Sequence, residues 1–110
     1  MKIYISGKIT NLPMPRVRRK FAIHGANLES LGHEVINPLE LHKEAKTWCG
    51  YMITDIKALL TCQAIYMLSD WESSKGAKIE HDIAKRMGIR VFYQNKYAVQ
   101  KNRYLQIKAV

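Results

Sequence analysis

The fold of this chain is decided by residues 63–93, which read QAIYMLSDWESSKGAKIEHDIAKRMGIRVFY. The run Gln63–Leu68 is almost wholly apolar and predicts a buried strand. A polar connection, Ser69–Ser73, leads to a helix that runs to about Met87, where a glycine follows as a typical helix stop. The run Ile89–Tyr93 is rich in β-branched and aromatic residues and predicts another strand. Strand, helix and strand joined by short connections indicate a parallel β–α–β unit.

The N-terminal half repeats this alternation of strand and helix. Met1–Ser6 (MKIYIS) alternates and has aromatic and β-branched residues at its centre, which predicts a buried first strand. Apolar residues at helical spacing predict a helix over Arg16–Leu31, followed after a glycine by a short strand, His33–Ile36. A second amphipathic helix is expected over Trp48–Leu60. The chain is therefore expected to form an α/β fold with a parallel sheet, helices on both faces and right-handed crossovers.

Two segments show no clear period. Residues 39–47 are polar, and the tail, residues 94–110, predicts either a fifth strand or a short helix. We expect a single domain over residues 1–110, because a chain of this length can bury one core and no linker or repeat divides it.

The composition argues against several classes of protein. Hydrophobic residues make up 47% and charged residues 25%, which is ordinary for a globular protein and argues against disorder. No apolar run approaches the ~20 residues of a membrane span and no signal peptide is recognisable, so we expect a cytoplasmic protein without membrane contact. The two cysteines, Cys49 and Cys62, belong to no CxxC or Cys/His pattern, so neither a disulfide scaffold nor a metal site is expected.

Charge is the unusual property of this sequence. Lys and Arg number 18 against 9 Asp and Glu, which gives a formal net charge of +9. Such an excess favours anionic partners, whether nucleotides, phosphorylated metabolites or nucleic acid. The sequence has neither a Walker A motif nor a GxGxxG motif, which disfavours a dinucleotide-binding fold.

Two predicted helices carry a carboxylate on the face that should be apolar. Asp55 points along the stripe of the second helix, and Glu80 lies inside that of the third. Acidic residues are rarely buried unless they are paired or functional. For either residue alone, the carboxylate on the apolar face would be explained by a position at the helix edge, from which it reaches solvent, or by pairing with a neighbouring Lys or Arg. Because both helices flank the same predicted strand, a shared site is favoured. The stripes are formed by Trp48, Met52, Ile56 and Leu59 in the second helix and by Gly76, Ile83, Met87 and, at the edge, Ala84 in the third.

The ends of the predicted strands bring further residues to this site. In an open parallel sheet, the ligand crevice lies at the carboxyl ends of the strands. Gly7 follows the first strand, Asp70–Gly76 follows the third, and Glu80 lies about one turn into the next helix. Tyr4, inside the first strand, is expected to reach the same opening. Two carboxylates in a dry cleft suit acid–base or nucleophilic chemistry at a glycosidic carbon, because burial separates their pKa values.

Small and basic residues around the opening predict a binding site for an anion. A helix start with small residues exposes backbone N–H groups to a phosphate, although a serine that only caps the helix would give the same pattern. Trp71 either stacks on a base or covers the core. The basic opening of the first helix is either a solvated face or the source of one further phosphate contact; it consists of Arg16, Arg18, Arg19 and Lys20. The predicted binding residues are Gly7, Lys8, Ser74, Lys75, Gly76 and Trp71.

Four stretches of this sequence resemble the nucleoside 2-deoxyribosyltransferase-like superfamily, and within it they look most like the DUF4406 group, which is often found in phages and prophages. These stretches are MKIYISGKIT (residues 1–10), GHEVINPL (32–39), the W…M…DI..L..C segment (48–62) and IYMLSDWESSKGAKIEHDIAKRMGIRVFY (65–93). The resemblance implies a three-layer, flavodoxin-like (Rossmannoid) parallel sheet of four to five strands, and enzymes that cleave N-glycosidic bonds of deoxynucleosides or nucleoside 5′-monophosphates.

The resemblance also implies roles for three residues. Glu80 matches the glutamate that attacks C1′ of the sugar, Asp55 the aspartate that handles protonation of the base, and Tyr4 the tyrosine that orients the glutamate. It implies no metal and no organic cofactor. It further implies a homo-oligomer, a dimer or a larger ring, with the second helix near the interface.

The sequence therefore predicts N-glycosidic bond cleavage or 2-deoxyribosyl transfer through a glutamyl-glycosyl intermediate, with a nucleoside or nucleotide as the partner molecule. One alternative is a phage-type protein that keeps the fold and binds or sequesters a nucleotide-like ligand without turning it over. The other alternative, a basic accessory protein that binds nucleic acid, rests on the net charge of +9 alone.

Overall fold

The computed structural model describes residues 1–42 and 47–94, and within them the chain forms a four-stranded parallel sheet. The strands are β1 (Lys2–Ser6), β2 (Glu34–Ile36), β3 (Ala64–Met67) and β4 (Arg90–Tyr93). The helices are α1 (Met14–Ser30), α2 (Trp48–Leu59) and α3 (Lys75–Arg86), with short 3₁₀ turns at Pro38–Glu40 and Trp71–Ser73. The predicted α/β class and parallel sheet are confirmed. The prediction of a fifth strand or a helix in the tail falls on residues 95–110, outside the described part.

The strand order, β2-β1-β3-β4, determines where a ligand can enter. The chain leaves β1 toward β2 on one side and then returns past β1 to form β3 on the other side. The loops that follow β1 and β3 therefore diverge and leave a crevice between them, as at other switch points of parallel α/β sheets. The crevice lies at the carboxyl ends of two adjacent, buried strands.

Alternation along β1 divides the protein into two cores. Ile3 and Ile5 pack with α1 on one face of the sheet, and Tyr4 packs on the other face with residues of α2 and α3. The first core also contains Val17, Phe21, Leu28, Ala64, Tyr66, Leu68 and Phe92. The second also contains Leu59, Cys62, Ile65, Met67, Ala77 and Ala84. Helices therefore cover both faces, which confirms the predicted three-layer arrangement.

Helix α1 begins at Met14, two residues before the predicted start at Arg16. The predicted start was wrong because Pro15 does not end a loop there: proline is tolerated in the first turn of a helix, where backbone N–H groups have no partner within the helix. The strands are shorter than predicted by one residue at one or both ends.

The predicted apolar stripes of α2 and α3 are partly wrong. Trp48 is 41% exposed and Met87 is 63% exposed, so neither belongs to the core. In α3 the buried face runs through Glu80 and Ala84, as predicted, and also through Ala77, and both alanines pack in the core that contains Tyr4. Asp55 and Glu80 lie on the buried faces of their helices, as the sequence predicts. Among the described helices, none is both long and apolar enough to cross a membrane.

Candidate active site

A cleft of about 810 Å³ opens at the carboxyl ends of β1 and β3, a size in the range of small-molecule sites. The first strand and its loop form one wall, α2 and the start of α3 form others, and the first turns of α1 and the segment 38–42 complete the lining. Eight of the nine residues predicted for the site line this cleft: Tyr4, Gly7, Lys8, Asp55, Ser74, Lys75, Gly76 and Glu80.

Glu80 is held at the base of the cleft by two hydroxyl groups. The Tyr4 hydroxyl donates a hydrogen bond to Oε2 at 2.8 Å, and the Ser6 hydroxyl donates one to Oε1 at 2.7 Å. The residue is only 5% exposed, and this burial raises the pKa of Glu80 to about 7, although both hydroxyl groups favour the charged form. The result is a carboxylate whose two oxygens are fixed in position and which titrates near neutral pH.

Asp55 lies at the same cleft on α2 and has a different partner. Its Oδ1 is 2.6 Å from Nε2 of His42, a residue of the turn that follows the first 3₁₀ segment. Burial raises the pKa of Asp55, and the hydrogen bond and charge of His42 act against that rise. The negative charge of Asp55 in turn favours the protonated form of Glu80, so the two carboxyl groups are electrostatically linked.

Tyr4 keeps its proton in this environment. Burial, followed by the negative charges of Glu80 and Asp55, raises the pKa of the Tyr4 phenol well above its ordinary value. The phenol is therefore a neutral donor that can orient a carboxylate without competing for its charge.

The mouth of the cleft is cationic, whereas its base is acidic. Lys8, Arg18 and Lys75 line it, and Lys75 lies with Nζ 4.9 Å from the centre of the Trp48 ring. Ser74 caps α3, since its hydroxyl accepts a hydrogen bond from the Ala77 N–H at 3.2 Å. The capping role that the sequence left open is therefore present, and Ser74 lines the cleft as well.

A polar clamp holds together the two loops at the switch point. Nζ of Lys20 contacts Oδ2 of Asp70 at 2.5 Å and the carbonyl oxygen of Lys8 at 2.8 Å. The Lys8 N–H donates to Oδ1 of Asp70 at 3.0 Å. Within the basic opening of α1, Lys20 therefore supports the shape of the cleft, and Arg18 is the residue that reaches its lining.

Trp71 is the predicted binding residue that the structure places elsewhere. Its ring stacks on His81, with centroids 4.2 Å apart, and lies 5.9 Å from the ring of Tyr93. The 3₁₀ turn before α3 directs the indole toward β4 instead of the cleft, whose lining does not include it. Of the two roles considered, packing against the core is the one that its contacts support.

Two residues of the site were missed by sequence reasoning. Ser6 was open to prediction, because it lies two positions after Tyr4 in a strand and so shares its face. His42 carried no signal, because it lies in a polar segment without period and meets Asp55 only through the folding of the chain. Within residues 1–42 and 47–94, no group of three or more His, Cys, Asp and Glu side chains is arranged to hold a metal ion.

Comparisons with known proteins agree with this fold. A solved structure of a 2-deoxyribosyltransferase from the psychrotolerant bacterium Bacillus psychrosaccharolyticus is similar over 94% of this chain and 82% of its own, with a TM-score of 0.66 and 14% identity. At this identity the similarity shows a shared fold. No curated protein sequence matches. The family model for DUF4406, described as a domain of unknown function, matches residues 1–93, and on that match the chain belongs to the DUF4406 family.

Proposed function

We propose that this protein cleaves the N-glycosidic bond of a nucleoside or nucleotide, or transfers its 2-deoxyribosyl group, with Glu80 as the nucleophile. The observation that carries the proposal is the fixed Glu80 carboxylate, bound by Tyr4 and Ser6 at the base of a ligand-sized cleft. The fold shared with a 2-deoxyribosyltransferase supports the same reaction class.

The reaction proceeds in two displacements. An oxygen of the Glu80 carboxylate attacks C1′ of the sugar, the C1′–N bond breaks, and its electron pair leaves with the base. Asp55, which lies at the same cleft, assists departure of the base by protonation. Water or an acceptor base then attacks C1′ and releases Glu80 as a carboxylate. Tyr4 and Ser6 hold the carboxylate in line throughout, which removes the entropic cost of orienting it.

This mechanism requires the ionised form of Glu80. Because its pKa lies at about 7, the rate with limiting substrate rises as the pH increases through that value. In a pH profile, kcat/KM of the wild-type protein should therefore fall on the acidic side of neutrality. Substitution of Glu80 should abolish the activity and, with it, this pH dependence.

A phosphorylated substrate fits the charge distribution of the cleft. The cations Lys8, Arg18 and Lys75 line its mouth, where a 5′-phosphate would extend from a sugar bound at Glu80. A charge-assisted contact contributes about 1.5–3 kcal/mol, so a nucleoside 5′-monophosphate is expected to bind about tenfold more tightly than its nucleoside, or better. Lys75→Ala should narrow this difference, whereas Lys85→Ala, in the last turn of the same helix, should not. Equal affinity for both ligands at low salt contradicts this preference.

The decisive experiment is release of free base from a panel of deoxynucleosides and their 5′-monophosphates, followed by chromatography. Wild-type protein and Glu29→Ala, which removes an exposed carboxylate of α1, should release base, and Glu80→Ala should not. Binding of these ligands without any release by the wild-type protein would overturn the proposal and indicate a protein that only binds nucleotides.

A further inference from the structure

His42 is the contact of Asp55 that the proposed reaction leaves unexplained. Nε2 of His42 and Oδ1 of Asp55 are 2.6 Å apart, and their side chains are 14% and 6% exposed. Burial of a carboxylate without a partner is costly, so a purely structural pair would satisfy this group. Both residues, however, line the cleft together with Glu80, so the pair faces the space in which a ligand would bind.

A second residue of α2, Tyr51, holds the imidazole of His42 in place. Tyr51 lies one helical turn before Asp55, and its ring packs against that of His42 with centroids 4.5 Å apart. The other titratable groups that act on Asp55 are Tyr4 from β1 and Glu80 from α3. Tyr4 keeps its proton, whereas the imidazole of His42 has two ring nitrogens and lies within hydrogen-bond distance of Asp55, so it can pass a proton to that carboxyl group.

We propose that His42 and Asp55 act as one proton-transfer unit, in which His42 positions Asp55 and shares with it the proton that goes to the departing base. This assignment rests on the proposed function and deepens it. A leaving base carries the electron pair of the broken bond and is expelled more easily when it is protonated as it leaves. Because Nε2 of His42 and Oδ1 of Asp55 are 2.6 Å apart, a proton between them can be held by either group.

The proton and electron pairs balance over the cycle. In the first displacement, a bond forms between a Glu80 oxygen and C1′, the C1′–N bond breaks, and the pair gives one proton to the base nitrogen. In the second, a water oxygen attacks C1′, the ester bond to Glu80 breaks, and the pair takes one proton from that water. One water is consumed, the base and the sugar are released, and the pair regains its starting proton.

The test compares two leaving groups in two variants. His42→Gln keeps a side-chain N–H that can donate to Asp55 but cannot exchange a proton near neutral pH. With a deoxynucleoside or its 5′-monophosphate, kcat/KM should fall about 10²-fold or more, and with 4-nitrophenyl 2-deoxyriboside, which releases a stable anion, it should change by less than about threefold. His24→Gln removes a half-buried histidine of α1 outside the cleft and is the matched control, expected to match wild type on both substrates.

Each outcome decides between a proton-transfer role and a purely structural role for His42. Equal losses on both leaving groups show that His42 has a structural role only, and no loss on either shows that it has no role; both results overturn this inference and leave Glu80 in place. If wild-type protein cleaves neither substrate, the proposed function itself fails, and this inference fails with it. If His42→Gln folds poorly, Asp55→Asn gives a second measurement of the same selective loss. Both variants should also lose the same limb of the pH profile of kcat/KM, because they disable the same proton-transfer pair.

Discussion

The two faces of the sheet each carry a hydrophobic core but contain different chemistry. On the α1 face, Ile3 and Ile5 of β1 meet Phe21 and other apolar side chains. On the opposite face, the same strand presents Tyr4 and Ser6, whose hydroxyl groups bind the buried carboxylate of Glu80. One strand with a side-chain period of two therefore separates the core from the candidate site. The first face therefore stabilises the fold, whereas the second gives up stability by burying ionisable groups.

The largest difference between the faces is expected from truncation of one residue on each. Glu80→Ala should lower turnover by several orders of magnitude without loss of folding, because the proposed nucleophile is removed and no apolar packing is lost. Phe21→Ala should lower the free energy of unfolding by about 3–5 kcal/mol and leave turnover per folded molecule unchanged. Base release and urea unfolding measure the two quantities. Activity of Glu80→Ala above about a tenth of wild type would end the nucleophile assignment.

The second difference concerns the dependence of stability on pH. The folded protein raises the pKa of Glu80 from 4.5 to about 7, so the stabilisation from its bound proton is complete below about 4.5 and is lost as the pH rises through about 7. Glu80→Gln carries no charge at this position. Between pH 5 and pH 8, the free energy of unfolding of Glu80→Gln should therefore rise relative to that of wild type by up to about 3 kcal/mol. This follows from roughly 1.4 kcal/mol for each pKa unit. Urea unfolding of both proteins at the two pH values tests this. The same difference in stability between the two proteins at pH 5 and at pH 8 would contradict it.

The third difference is between two buried glycines. At Gly7, a Cβ atom would lie 2.9 Å from Cβ of Leu68, so Gly7→Ala must displace the β3 end of the cleft and should cost about 1–3 kcal/mol. At Gly25, in α1, a Cβ atom would meet Cδ1 of Ile5 at 3.5 Å, an ordinary contact, so Gly25→Ala should gain up to about 1 kcal/mol from helix propensity. Thermal unfolding of both variants measures the difference, and a reversed order of stability would refute this account.

The smallest expected effect on the fold comes from the outer surfaces of the helices. On the site side, α2 exposes Ile53 by 56% and its C-cap Leu60 by 48%, and we expect self-association through this helix. Ile53→Glu should then shift a dimer or larger species toward the 12.7 kDa monomer in sedimentation, with little change in unfolding. Ile23→Glu, on the exposed face of α1, is the control and should not shift the protein toward the monomer. A wild-type protein that sediments only as the monomer at micromolar concentration would refute this prediction.

Much of the architecture follows from local patterns in the chain. Alternation in Met1–Ser6 and helical spacing in the segments that became α1, α2 and α3 were sufficient to predict a parallel α/β fold. The same patterns singled out Asp55 and Glu80, because a charged residue on an apolar face is visible in the sequence itself. Tyr4 followed from its place in the first strand, close to the strand end.

Only the tertiary structure decided which groups meet. The bond between Ser6 and Glu80 joins residues 74 positions apart, and the contact of His42 with Asp55 depends on a turn without a regular pattern. The burial of Ala77 in α3, and the packing of Trp71 on His81, were likewise outside the reach of periodicity. Sequence periodicity specifies which face of a segment is apolar, because that property is local. Which faces come together depends on how the distant segments pack, since close packing of the whole core chooses among arrangements that the local patterns leave open.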